Sequence, residues 1–393
     1  MEKDLLIYFP SRRYGGSELL FLEMLAYFKN KKVNVNITDY KDGVLFEKLD
    51  YEDNSLKINI SDERLKEKEY YVISAISHID KLCESPLADS SIISLLLLHE
   101  FHALNFYVSS KFLKKVQSKK ILKKFMRIER VNFKVNKKIF FDLVDNNGVV
   151  YFNKNTRKLH QYLYEINKEA LFVNLPYKSR NKSKPVFKEI GDTINFGWVS
   201  RLDKDLFPSL MTIISLLNKA NTKGKKCYLH IIGDGKYLKH LKEREVRNVK
   251  IVFTGALFGD DLYDYLNKNI DIGIGRGTII LDFASAGIPS IVTPLTILNN
   301  ITVDQFILSY ERLDDYSKKY SLQGIMRELL NDYKIISEKT FETLKNYESD
   351  VIFDSLHQNI LESKIQLGDL RKHYYSFSNL LFLKRKTFSP LNS

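Results

Sequence analysis

Asp271-Ile-Gly-Ile-Gly-Arg-Gly-Thr-Ile-Ile-Leu-Asp-Phe-Ala-Ser-Ala-Gly-Ile-Pro-Ser290 reads as a buried strand, a glycine-rich turn, a helix and a Gly-Ile-Pro break into another strand. Gly275 and Gly277 allow a ligand close to the backbone, and Thr278 is placed to cap the helix start. Free N–H groups and the helix dipole make such a start an anion site, with Arg276 as a further phosphate contact. Asp282, about one helical turn in, is suited to accept hydrogen bonds from sugar hydroxyls. The stretch therefore predicts a site for a phosphate that carries a hydroxyl-rich group, and a nucleotide sugar has both.

Working outward, apolar runs alternate with helical patterns on both sides of this stretch. Leu5 to Phe9, Val33 to Thr38, Leu56 to Ile60, Tyr70 to Ile76, Ile92 to Leu98, Val149 to Phe152 and Ala170 to Leu175 read as strands. Ser17 to Phe28 reads as a helix. After a polar, basic stretch from Lys178 to Lys188 the alternation restarts with Ile194 to Ser200, Cys227 to Ile232, Lys250 to Phe253, Ile270 to Ile274 and Ser290 to Thr293. Continuous apolar strands separated by helices predict parallel sheets covered on both faces. The expected fold class is α/β, two Rossmann-like doubly wound domains facing across a cleft. The expected boundaries are residues 1–180 for an acceptor-side domain, 181–190 for a linker, 191–360 for a nucleotide-sugar domain and 361–393 for a C-terminal helix or tail. Beyond Asp304 the chain reads as mostly helical. By the strand-end rule for open α/β sheets, ligand binds at the carboxyl ends of the strands.

Composition narrows the class. The chain has 393 residues, 44% of them hydrophobic, enough for two cores and too apolar for a disordered protein. The start, Met1-Glu-Lys-Asp4, is charged and predicts no secretory signal, and no apolar run approaches the length of a membrane span. Cys83 and Cys227 form no motif and fit reduced thiols, so the expected location is the cytoplasm. The net charge of +13 is concentrated: Lys111 to Lys138 holds twelve Lys and Arg against the single acid Glu129. That segment is expected to meet an anionic membrane surface, as a peripheral contact at the inner face of the cell membrane; a solvated helix face is the plain alternative. No module that reads bases accompanies the charge, so no nucleic-acid partner is expected.

Several motifs together resemble a known family. Phe196-Gly-Trp-Val-Ser-Arg-Leu-Asp-Lys204, Ile231-Ile-Gly-Asp-Gly235, Val252-Phe-Thr-Gly255 and Leu281-Asp-Phe-Ala-Ser-Ala-Gly-Ile-Pro289 follow one another in the order and spacing of the nucleotide-sugar domain of GT-B glycosyltransferases, particularly the retaining family 4. Pro10 to Glu18, with Gly15 and Gly16, resembles that family's opening glycine-rich loop. The resemblance implies that Arg201 binds the donor diphosphate, where a planar guanidinium pairs with phosphate oxygens. The family's lysine five residues further on falls on Leu206, which leaves Lys204 as the nearest substitute. Asp282 matches the second acid of the family's acidic pair, the one near the ribose. The first acid, which contacts the transferred sugar, falls on Ile274. His99 matches a histidine beside the reacting sugar, and the loop from Gly255 to Gly259 lies where the base sits. Glu18 is read either as a cap for the following helix or as an acceptor contact.

What the resemblance implies is a metal-independent hexosyltransferase with no cofactor beyond its nucleotide-sugar co-substrate, expected to be a UDP-sugar. The acceptor would be a polysaccharide, a glycolipid or a lipid-linked glycan in bacterial surface glycan synthesis. The substitution at Ile274 also fits a GT-B-fold partner that no longer transfers sugar and instead stabilises or targets another glycosyltransferase. Asp203 and Asp205 match a metal-binding Asp-x-Asp triplet of the other major glycosyltransferase fold by chance spacing and are read as loop acids. His99, Glu100 and His102 are not in the order of a zinc motif.

Overall fold

The computed structural model describes residues 3–12, 15–49, 56–98, 123, 130–152, 154–179, 185, 187, 189–203, 206–220, 224–243, 246–292, 305–308 and 320–375. His99, Lys204 and most of the basic segment from Lys111 to Lys138 lie outside these residues. The chain divides into two compact units, Met1–Pro176 with Asp350–Ser393, and Tyr177–Ser349.

The first unit is built on seven parallel strands: β1 Asp4–Tyr8, β2 Val35–Asp39, β3 Lys57–Asn59, β4 Tyr70–Ala75, β5 Ile92–Leu97, β6 Val149–Tyr151 and β7 Leu171–Phe172. Their order across the sheet is β3-β2-β1-β4-β5-β6-β7, all neighbours parallel. Leu6, Ile7, Val72, Ile73 and Leu95 to Leu97 are fully buried. Continuous apolar runs are what a strand covered on both faces requires. Helices α1 Gly16–Asn30, α2 Val44–Lys48, α3 Ile79–Glu84, α4 Arg130–Asp145 and α5 Lys154–Tyr164 lie between the strands in sequence. Helix α1 places Leu20, Phe21, Met24, Leu25 and Phe28 in the core, a stripe at helical spacing. Cys83 is a buried free thiol whose pKa burial pushes up to about 12, so it stays protonated and inert.

The second unit repeats the plan. Strands β8 Thr193–Val199, β9 Lys226–Ile232, β10 Lys250–Gly255, β11 Ile272–Gly275 and β12 Ser290–Val292 are parallel; β13 Gln305–Leu308 and β14 Tyr320–Ser321 add an antiparallel edge. The order is β10-β9-β8-β11-β12-β13-β14. Helices α6 Phe207–Lys219, α7 Leu238–Lys242, α8 Gly259–Asn269, α9 Ile279–Ser285 and α10 Leu322–Thr343 complete it. Trp198, Phe196, Leu229, Ile231, Ile272 and Ile274 form the core on which α6 and α10 pack. One polar network is buried with them. The His230 ring lies between Tyr265 Oη (2.7 Å from Nδ1) and Asn195 Oδ1 (3.3 Å from Nε2), and Asn195 Nδ2 donates to Asp271 at 2.8 Å. Burial holds the imidazole below its ordinary pKa, against the opposing charge of Asp271.

Two expectations are refined here. The segment beyond Asp304 is mostly helical among the described residues, and it also contributes the four-residue β13, which pairs antiparallel with β12 and is too short to announce itself by periodicity. The second domain, expected to run to residue 360, ends as a compact unit at Ser349. Helix α11 Ser349–Glu362 carries Ile352, Phe353, Leu356 and Ile360 into the core of the first unit, where Ser94 Oγ also meets Asn359 Oδ1 at 3.3 Å. This apolar stripe therefore belongs to the core of the first unit.

Candidate functional site

Because β8, β9, β10 and β11 are parallel, their carboxyl ends share one edge of the second sheet. The loops leaving that edge begin at Ser200, Gly233, Ala256 and Arg276. Between the adjacent β8 and β11 the strand order reverses direction, which is the switch point where open α/β sheets bind ligands. Arg201 leaves one side of this point and Gly275 to Thr278 leave the other. The Arg201 side chain is 75% exposed, its guanidinium 3.5 Å from the Asp203 carboxylate. A weak, solvated pair of this kind gives little stability and leaves the cation available to an anion.

The loop bearing Arg201 is held by backbone contacts. Ser200 N–H donates to Ile232 O at 3.2 Å, Leu202 N–H to Asp234 O at 2.9 Å, and Gly233 N–H to Gly255 O at 2.8 Å. Gly233 has φ +154, and a Cβ there would lie 2.0 Å from the Ser200 carbonyl oxygen. The Gly233-Asp-Gly235 element is therefore the seat of the arginine loop, a role that its resemblance to a family motif did not reveal.

Across the switch point, Gly275 ends β11 and is buried, Arg276 is half-buried, and Gly277 and Thr278 are exposed. Thr278 does not cap the helix with its side chain. It is already helical, at φ −60 and ψ −30, and its carbonyl accepts from Leu281 N–H (2.9 Å) and Asp282 N–H (3.2 Å). The turn winds up one residue earlier, with Ile280 N–H on Gly277 O at 3.2 Å, so helical backbone occupies the position a cap would need. Ile274, where the family's first acid falls, is fully buried inside β11.

Asp282 is engaged within the unit. Its Oδ1 accepts from Tyr263 Oη at 2.5 Å and from Tyr177 Oη at 3.0 Å, and the two phenol oxygens are 3.5 Å apart. Burial, then the charge of Asp282, pushes both phenols well above the ordinary tyrosine range, so both remain protonated donors at neutral pH. Tyr177 and Tyr263 lie 105 and 19 residues from Asp282 in sequence, and no local pattern links them. Phe258 was also missed. It stands 79% exposed just before α8, in the loop from Gly255 to Gly259. An aromatic residue inside a glycine-bounded loop was the available signal.

The corresponding edge of the first unit is organised differently. Asp39, at the end of β2, accepts from the N–H groups of Ser11 (2.7 Å), Tyr40 (2.7 Å) and Leu45 (2.8 Å). A Cβ on Gly43 would lie 2.1 Å from that carboxylate, so the close approach needs glycine. Glu18, 9% exposed, accepts from Ser11 Oγ at 2.7 Å. It anchors the opening loop rather than capping α1. Gly15 and Gly16 are exposed; Gly15 is extended at φ −166, and nothing lies within 4 Å of a Cβ on Gly16. The turn into α1 does not demand glycine at Gly16 on steric grounds. Among the described residues, no group of three or more His, Cys, Asp or Glu side chains is placed to hold a metal ion, and no helix is long and apolar enough to cross a membrane.

No family model and no curated protein sequence matches this chain. Solved structures do. Anabaena HepE, solved with UDP and glucose, aligns with a TM-score of 0.58 at 10% identity, covering 92% of this chain and 100% of HepE. The lipopolysaccharide outer core galactosyltransferase WaaB, in its apo form, gives 0.57 at 11% identity, covering 92% and 99%. A glycosyltransferase from Rickettsia africae gives 0.58 at 13% identity, again over 92% and 99%. Likeness at this identity establishes the fold, which is the two-domain α/β GT-B fold of these proteins.

Proposed function

We propose that this protein is a retaining, metal-independent glycosyltransferase that binds a UDP-sugar on its second unit and transfers the hexosyl group to a polysaccharide, glycolipid or lipid-linked acceptor. The observation that carries the reading is the convergence, at one sheet edge, of the exposed Arg201 and the Gly275–Thr278 turn on either side of the β8/β11 switch point. An anionic diphosphate held there would meet the Arg201 guanidinium, Arg276, Lys204 and the backbone N–H groups of the turn. Stabilising the charge that develops on the departing diphosphate is electrostatic catalysis and uses no metal. Asp282 takes the ribose and the Gly255–Gly259 loop the base, with Phe258 available to stack on it. The family resemblance gives His99 the role of contacting the reacting sugar, and Gly15 and Gly16 that of a glycine loop open to donor or acceptor. HepE, of the same fold, was solved with UDP and glucose, which favours uridine among the bases. The setting is bacterial surface glycan synthesis at the cytoplasmic face of the membrane, with Lys111 to Lys138 as the peripheral contact.

One observation favours a second reading. The buried Ile274 leaves no acid at the position the family uses against the transferred sugar, as expected of a GT-B-fold partner that targets or stabilises an active glycosyltransferase. Thermal denaturation with UDP and a panel of UDP-sugars, without added metal, tests the first reading, since a bound ligand raises the melting temperature with its concentration. A saturable shift specific to one UDP-sugar, followed by UDP release on adding acceptor, is the expected result. Binding without release under any acceptor supports the non-transferring partner. No shift with any nucleotide overturns the donor site.

A further inference from the structure

The carboxylate of Asp282 is fixed from two directions. Tyr263 reaches it from α8, and Tyr177 reaches it from the first residue of the unit, where the chain arrives from Pro176. The backbone of Tyr177 is fixed as well. Its N–H donates to Tyr347 O at 2.8 Å, and it forms a parallel bridge with Glu348, one residue before the chain leaves the unit at Ser349. One residue thus joins three things: the segment that comes into the unit, the segment that goes out, and the acid of α9. Both phenols are donors that cannot readily ionise. Two phenol hydroxyls on one carboxylate oxygen restrict the side chain's rotation and direct the group.

Resting on the nucleotide reading above, we propose that Tyr177 and Tyr263 are positioning residues for nucleoside recognition: they aim the Asp282 carboxylate at the ribose hydroxyls, and Tyr177 links occupancy of that site to the paired segments at 177 and 347–348. Neither tyrosine touches the diphosphate in this scheme. Their effect should therefore appear with a ligand that has a ribose and vanish with one that lacks it.

Calorimetry on the full chain with UDP and with inorganic pyrophosphate separates these cases, using wild type, Tyr177→Phe, Tyr263→Phe, Asp282→Asn and Tyr177→Phe combined with Asp282→Asn. Phenylalanine keeps the ring packing, and melting temperatures verify that each variant is folded. Each phenylalanine variant should weaken UDP about fivefold to tenfold, the scale of one ordinary net hydrogen bond, and leave pyrophosphate unchanged. In the Asp282→Asn background, Tyr177→Phe should add nothing, because it acts through the carboxylate. Saturating UDP should also slow hydrogen exchange at the Tyr177 amide. Unchanged UDP affinity in both phenylalanine variants, equal weakening of UDP and pyrophosphate, or UDP binding that leaves the Tyr177 amide unaffected overturns this inference alone. Wild-type protein that binds neither ligand, or pyrophosphate only, overturns the nucleotide reading and this inference with it.

Discussion

Both units set their strands in the same order, third, second, first, fourth and fifth, yet the equivalent edges of the two sheets are used in opposite ways. In the first unit the edge is closed by carboxylates that accept from its own loop: Asp39 takes backbone N–H groups and Glu18 takes the Ser11 hydroxyl. In the second, the loops are shaped by backbone contacts on glycine, which leaves the Arg201 charge turned to solvent. A scaffold repeated twice is thus specialised by what satisfies its loops. Where acids are spent on the protein's own N–H groups, an anion finds no welcome. Where glycine lets backbone hold backbone, a cation is left over for a ligand.

The sharpest way to break the comparison is Gly233→Ala. A methyl group 2.0 Å from the Ser200 carbonyl oxygen, at φ +154, should cost at least ~2–4 kcal/mol. Denaturant unfolding should show that loss, with β8 and β9 losing hydrogen-exchange protection while β1 and β2 keep theirs. Equal loss in both units would mean that the arginine loop is not seated on this glycine. Next in size is Arg201→Ala. Its ionic contact with Asp203 is a solvated pair, so its removal should change stability by less than ~0.5 kcal/mol. Its removal should also weaken UDP by ~2–3 kcal/mol, the scale of a charge-assisted contact, and abolish sugar transfer. Retained turnover would remove Arg201 from the diphosphate site.

The pH responses of the two units should have opposite signs. Burial outweighs the four backbone N–H groups of Ser11, Tyr40, Leu45 and Phe46 and raises the Asp39 carboxyl above its ordinary pKa. Its contribution is therefore present below the ordinary carboxylate value and lost as pH rises through the raised one. His230 is shifted the other way, below the ordinary histidine value. Its contribution is present above that ordinary value and lost as pH falls through the depressed one. Exchange protection of β2 and β9, corrected for intrinsic rates, should follow these opposite slopes, and Asp39→Asn and His230→Gln should flatten each in its own unit. A slope that survives its own substitution assigns the titration elsewhere. The smallest effect belongs to Gly16→Ala. With open space around a Cβ and the residue inside a helix, the unfolding free energy should hold or rise by no more than ~0.5 kcal/mol. A drop in transfer rate with unchanged stability would mark Gly16 as a place where the backbone must stay bare for a ligand.

The sequence by itself determined the layout of strands. Runs such as Leu5 to Phe9 and Ile92 to Leu98 are too apolar for anything but strands covered on both faces, and Leu20 to Phe28 keeps helical spacing; these patterns are local and survive without knowledge of partners. It also marked the edge where Arg201 and the Gly275–Thr278 turn emerge, because strand, glycine turn and helix follow one another within a few residues. Only the tertiary structure decided which core claims a given helix, since the stripe Ile352, Phe353, Leu356 and Ile360 would suit either and the first unit's sheet is the one it covers. Only it could reveal that Asp282 already has two donors, that Gly233 seats the arginine loop, and that Glu18 holds Ser11. Each of these depends on side chains or backbone brought together from 7 to 105 residues apart, and a hydrogen bond leaves no periodic trace in the chain that makes it.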